Sequence, residues 1–152
     1  MTTPIRKALR NASTLQPHVR DGLGAVKGKD LAYLERSLRS VFDDSLELDA
    51  ALQKGREQEN RWDYLLGYGT AGTVVGLEPH SATNHEVSVV IKKRKAALRQ
   101  LGPHLNPNAR VAAWFWVASG RVDLVPYEKK KLQLDQEGIT FIGKALQKKH
   151  LP

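Results

Sequence analysis

The chain contains no cysteine. Disulfide frameworks, zinc–thiolate centres and cysteine nucleophiles are therefore excluded. Long apolar runs are missing as well. The longest, Val111 to Ala118, is far too short to span a bilayer. Basic residues stand near the start (Arg6, Lys7, Arg10) without a continuous apolar stretch after them, so the N-terminus does not read as a secretory signal. Together these features predict a soluble protein of bacterial, cytoplasmic type with no membrane partner. Acidic residues are also scarce, with 16 Asp+Glu against 24 Lys+Arg and a net charge of +8. The imbalance is local. Residues 1–76 carry 11 Lys+Arg against 10 Asp+Glu, and residues 77–152 carry 13 against 6. A confined positive field favours polyanionic partners through counterion release, although basic charge also serves plain solubility.

At 152 residues the expectation is one domain with a real core. Residues 1–29 are polar and rich in Pro and Gly, and read as a partly ordered arm before a single α/β domain over 30–152. Asp30 reads as an N-cap. Leu31, Leu34, Leu38 and Val41/Phe42 recur at helical spacing, predicting an amphipathic helix over 31–42. Residues 46–54 fit a helix or a strand. Trp62 to Tyr68 and Val74 to Leu77 read as an antiparallel hairpin around the turn-forming Gly69-Thr70-Ala71-Gly72. Pro79 is expected to end its pairing. A helix follows from Glu86 to Leu101, capped by Ser81, Thr83 or Asn84 and stopped by Gly102-Pro103. The run from Arg110 to Ser119 predicts a strand buried on both faces, because Trp114, Phe115 and Trp116 cannot all face one way. Val122 to Val125 reads as a short return strand. Pro126 opens a helix over Tyr127 to Gln136 with Leu132 as its main apolar contact. Residues 139–142 read as a last strand, and 145–150 as a basic tail. The expected architecture is α/β, a mixed central sheet flanked by helices.

The chemistry is concentrated in the hairpin and the helix after it. Asp63 and Glu78 fall on neighbouring strands, where two carboxylates can hold a hard divalent cation such as Mg²⁺. His80 can act as a neutral base near pH 7, and a lysine nearby can stabilise developing negative charge. Each residue also has a structural reading. Asp63 can pair with Arg61, Glu78 can be an exposed strand-end acid, and His80 a loop histidine bonded to backbone. Glu86 is either a third acid facing the site or a favourable charge at a helix N-terminus. Lys92, Lys93, Arg94, Lys95 and Arg99 form the densest cationic stretch. They are either a solvated face or a set of phosphate contacts, each neutralised phosphate adding about −0.9 to the salt slope on duplex DNA. The spacing Gly67-x-Gly69-x-x-Gly72 imitates a dinucleotide fingerprint, but a strand follows it where that motif needs a helix.

An acid at Asp63, Glu78-Pro79-His80 one hairpin later, a basic crossover helix and the buried run Trp114-Phe115-Trp116-Val117 resemble the restriction-endonuclease-like superfamily, the PD-(D/E)xK nucleases, over residues 61–120. That resemblance implies a core of helix, strand meander, crossover helix and further strand. It implies metal ligation by Asp63 and Glu78, with Glu86 as a possible third acid. His80 stands where the motif has lysine, and Lys92 or Lys93 would supply the missing ammonium. The implied activity is Mg²⁺-dependent cleavage of a DNA or RNA phosphodiester, from an active or a decayed site. The alternative expectation is a non-enzymatic protein-interaction domain of a bacterial defence or mobile-element cassette.

Overall fold

The computed structural model describes residues 2–152. Its sheet has six strands in chain order: β1 (Arg20–Asp21), β2 (Phe42–Glu47), β3 (Tyr64–Tyr68), β4 (Thr73–Thr83), β5 (Ala113–Asp123) and β6 (Ile139–Phe141). The first four form an antiparallel meander, while β4–β5 and β5–β6 pair in parallel. Parallel neighbours need crossovers. The long helix of residues Asn84–Leu101 makes the first and the helix of residues Tyr127–Gln136 the second. Two short helices, Pro4–Ala8 and Leu48–Leu52, come earlier in the chain. In chain order these four helices are α1 (Pro4–Ala8), α2 (Leu48–Leu52), α3 (Asn84–Leu101) and α4 (Tyr127–Gln136). No helix among the described residues is long and apolar enough to cross a membrane.

Strand alternation divides the core into two layers. Leu65, Val74, Trp114 and Trp116 pack with Val87, Val90, Ala97 and Leu101 of α3 on one side of the sheet. Tyr64, Leu66, Val75, Leu77, Phe115 and Val117 pack with Leu34 and Leu38 on the other. Both faces of β5 are thus covered, as its unbroken apolar run predicts. The β3–β4 turn also follows expectation. Gly69 and Gly72 take φ of +80° and +73°, a region that suits glycine in a tight turn. Opposite Trp114 near the start of β5, Gly76 leaves space for two indoles. A Cβ there would lie 2.6 Å from Cε3 of Trp114 and 2.9 Å from Nε1 of Trp62. The rings meet edge to face at 5.0 Å, and the Arg94 guanidinium lies 5.8 Å from the Trp114 centroid. Among the described residues the buried Trp62 N–H has no hydrogen-bond acceptor.

Several expectations need correction. Residues 31–42 do not form an α-helix; they form 3₁₀ turns at Gly28–Tyr33 and Arg36–Val41. Leu34 is extended between them because it bridges to Leu146, and the Glu35 N–H donates to the Leu146 carbonyl at 2.9 Å. Pairing with the C-terminal segment outweighs the helical spacing. Asp30 caps nothing, and its carboxylate accepts the Tyr64 hydroxyl at 2.6 Å. The segment expected as an arm inserts Ile5, Leu9, Leu15 and Val19 into the core. Residues 46–54 are both strand end and helix, since β2 runs into α2 at Glu47. Pro79 does not stop β4, which pairs with β5 as far as Thr83. β3 ends opposite Leu77, so β4 is one-sided from Glu78 onward and tolerates a residue without an amide hydrogen. Val122 and Asp123 extend β5 and form no return strand.

In α4 the buried leucine is Leu134, fully enclosed, whereas Leu132 is 58% exposed. Leu134→Ala is expected to lower unfolding free energy by about 2–3 kcal/mol through lost burial and a cavity. Leu132→Ala should stay within about 0.5 kcal/mol of the parent. Urea denaturation of the two variants measures the contrast.

Candidate functional site

The ends of β2, β4 and β5 and the start of β3 lie at one end of the sheet, and the candidate residues gather there. Tyr64 pairs with Leu77, so the next positions outward, Asp63 and Glu78, stand opposite each other. The Asp63 N–H donates to Oε1 of Glu78 at 2.9 Å. Glu78 and His80 are two residues apart on β4 and so share a face. Glu86 and Lys93 are seven apart on α3, two turns along one stripe. The crossover lays that stripe against the strand. Nζ of Lys93 donates to Oε2 of Glu78 at 2.5 Å and lies 4.0 Å from Oδ1 of Asp63. Nδ1 of His80 is 3.5 Å from the same Glu78 oxygen, and Nε2 is 2.8 Å from Oε2 of Glu86. Acid and base therefore alternate from Glu86 through His80, Glu78 and Lys93 to Asp63.

Glu78 is the enclosed centre of this row, with 0% of its side chain exposed. It is not the exposed strand-end acid of the structural reading. Buried charge persists only when paired and hydrogen-bonded, and Glu78 has an ammonium, a backbone N–H and an imidazole around it. Burial, with the Glu78 carboxylate beside it, pushes the Asp63 carboxyl up to about 7 against the opposing pull of Lys93. Burial acts to lower the Lys93 ammonium, but Glu78 and Asp63 outweigh it and hold the group above its ordinary value. Glu78 and Glu86 hold the His80 imidazole above its ordinary value against its burial. The hydrogen bond from His80 in turn lowers Glu86.

The basic stretch on α3 does not act as one wall. Lys93 points to the carboxylates, whereas Lys92, one residue away, is exposed. Arg94 lies over Trp114. Lys95 pairs with Glu137 at 3.7 Å and Arg99 with Glu59 at 3.9 Å, both at the surface. The cause is geometric, because successive helical residues turn by about a hundred degrees. Arg61 binds Asp49 at 2.8 Å and is not the partner of Asp63.

The sequence reading missed the acids around Asp63. A pocket of about 260 Å³ opens there, and Asp30, Glu47 and Asp49 line it together with Asp63. Glu47 and Asp49 fall in the stretch whose local pattern fits two conformations. A strand assignment for 42–47 would have placed them at the same sheet end. Among the described residues, no group of three or more His, Asp or Glu side chains is arranged to hold a metal ion. The Asp63–Glu78 pair presents carboxylate oxygens, the donor type that Mg²⁺ takes, and Oε1 and Oε2 of Glu78 each accept a hydrogen bond as well. No family model, no curated protein and no solved structure matches the chain.

Proposed function

We propose that this protein is a divergent restriction-endonuclease-like phosphodiesterase that acts on nucleic acid in the bacterial cytoplasm. The observation that carries the reading is the contact of Lys93 with Glu78, 2.5 Å, and its approach to Asp63. An acid from the start of one strand, an acid from the next and a lysine from the crossover helix thereby share one end of the sheet. The meander β2–β3–β4, followed by a helical crossover into parallel β5, agrees with the core that the resemblance implies. Asp63 and Glu78 are the residues that would hold Mg²⁺, which when bound would supply positive charge to phosphoryl oxygens. Glu86 is turned to His80 in this arrangement and serves to orient it. Lys93 keeps an ammonium beside the reacting phosphate, where it stabilises developing negative charge. His80 and the backbone of Asp63 hold the Glu78 carboxylate in place.

A second reading has one observation in its favour. Lys93 already neutralises the two carboxylates, and no third acid or histidine completes a metal site with them. That balance suits a non-enzymatic interaction domain that keeps the fold without the chemistry. Cleavage assays with Mg²⁺ or Mn²⁺ on single- and double-stranded DNA and RNA separate the two. The nuclease reading expects cleavage by the parent, with Glu78→Gln and Lys93→Met each slowing it by about 10²-fold or more while remaining folded. Inert parent protein on every substrate form would leave the interaction-domain reading, whereas undiminished rates in Glu78→Gln would move the chemistry away from this site.

A further inference from the structure

The lining of the pocket beside Asp63 carries two lysines, Lys27 and Lys29, as well as its four acids. Lys27, Lys29 and Tyr33, from the 3₁₀ turn at Gly28–Tyr33 and the residue before it, face the same space as Asp63, Pro79 and Ser119. Most charges in this lining have partners. Lys27 lies 3.9 Å from Glu47, Arg61 binds Asp49, and Asp30 takes the Tyr64 hydroxyl. Lys29 is exposed and makes no ion pair among the described residues. Tyr33 is half-buried against the core, so its ring is a fixed surface. Free cation, aromatic ring and the Asp63 carboxylate thus border one small volume.

We infer that this pocket receives one nucleotide of a single-stranded nucleic acid, with Lys29 and Lys27 on its phosphates and Tyr33 against its base. The inference rests on the nuclease reading above and adds the form of the substrate. Volume is the first argument. About 260 Å³ falls just below the ~300–1,000 Å³ of sites that engulf a drug-sized molecule, which is room for a single nucleotide unit and far too little for a duplex. Chemistry is the second, because non-specific single-strand sites combine cations that follow the backbone with an aromatic face for a base. Position is the third. Lys27, Lys29, Tyr33 and Asp63 line the same volume, so a strand seated there runs past Asp63, whose Oδ1 lies 4.0 Å from Nζ of Lys93.

The test is fluorescence anisotropy with the full chain in the absence of divalent metal. The probes are a labelled oligodeoxythymidine and a duplex of equal length. Single strand is expected to bind at least about tenfold more tightly than duplex. Lys29→Glu should weaken it by about tenfold or more and reduce its salt slope by about 0.7. Lys29→Gln should give a smaller loss, and Lys54→Glu, an exposed charge reversal away from the pocket, should change little. Equal or tighter duplex binding overturns the inference, and so do equal losses from Lys29→Glu and Lys54→Glu. In either case metal-dependent cleavage that is lost in Glu78→Gln would keep the nuclease reading standing. Absence of binding to either probe also overturns the inference, and the nuclease reading falls with it only if cleavage is absent too.

Discussion

Lys93→Met is expected to lower unfolding free energy by about 3–5 kcal/mol near pH 8, and by clearly less near pH 5. The variant keeps most of the side-chain volume and removes the ammonium. Glu78 then remains fully enclosed, with one backbone N–H and an imidazole 3.5 Å away. An unpaired buried charge costs far more than the intact pair contributes, because the desolvation penalty is no longer offset. The pH dependence follows from two groups. His80 titrates above its ordinary value in the fold, so its imidazolium stabilises the native state at low pH. That contribution is complete below the unfolded value of 6.5 and fades as pH rises through the higher folded value. In the variant His80 is the cation left beside Glu78, so acid offsets part of the damage. Asp63 is raised from 3.8 to about 7 in the parent. A carboxyl raised in the fold retains its proton longer there than in the unfolded chain, and stability falls as pH climbs from about 4 to 7. Without Lys93 that penalty grows. Both groups therefore act in one direction. Urea titrations at the two pH values measure the loss. The double variant Glu78→Gln/Lys93→Met should recover much of it, since it removes the charge as well as its partner. A Lys93→Met protein as stable as the parent at pH 8 would show that Glu78 is not held by this pair.

Much of this arrangement could be read from the residues, and the part that could not has a common cause. The hairpin around Gly69 and Gly72, the helix ending at Gly102 and the two-sided burial of β5 all depend on local signals: turn residues, helical spacing, an unbroken apolar run. Those signals place Asp63 and Glu78 on neighbouring strands and a lysine on the next helix. They do not say which of Lys92 and Lys93 turns inward. That depends on the phase of α3 against β4, which the packing of Val87, Val90 and Ala97 sets. The same limit explains residues 31–42. Their leucines have helical spacing, but Leu34 and Glu35 pair with Leu146, more than a hundred residues later. The acids Glu47 and Asp49 were hidden because a six-residue strand passes directly into a five-residue helix, so neither period repeats long enough to dominate.

Gly67→Ala is expected to cost about 2–5 kcal/mol, although it adds one methyl group to a strand. Gly67 is the last but one residue of β3, between Asp44 of β2 and Val74 of β4. A Cβ there would collide with Oδ1 of Asp44 and lie 2.8 Å from Cβ of Pro4 and 3.2 Å from Cγ1 of Ile5. None of these neighbours is a free chain end. Asp44 is fully buried, and its Oδ2 accepts the N–H groups of Ile5 and Arg6 at 2.9 and 3.3 Å. These are orphan donors of the first turn of α1. Among the described residues its Oδ1 has no hydrogen-bond partner, and it lies against the bare Cα side of Gly67. Burial raises the Asp44 carboxyl above its ordinary value while these N–H groups oppose the shift. The methyl group therefore has two routes. It can stay and compress β3 against α1, at roughly 1–3 kcal/mol for overpacking. Alternatively it can displace Asp44 and leave buried N–H groups unsatisfied, at roughly 1–3 kcal/mol for each group left without a partner. Either route loosens the N-terminal segment that carries Ile5 and Leu9 into the core. The expected signature is a loss of urea stability accompanied by faster proteolysis before residue 20. Asp44→Ala should also destabilise the fold, because it removes the same acceptor. The pair should not add. Once the carboxylate is gone the Gly67 methyl loses its closest collision while Pro4 and Ile5 still press on it, so Asp44→Ala/Gly67→Ala should lose at least about 1 kcal/mol less than the sum of its singles. Additive losses, or a Gly67→Ala protein within about 0.5 kcal/mol of the parent, would show that β3 and α1 are not packed through this glycine.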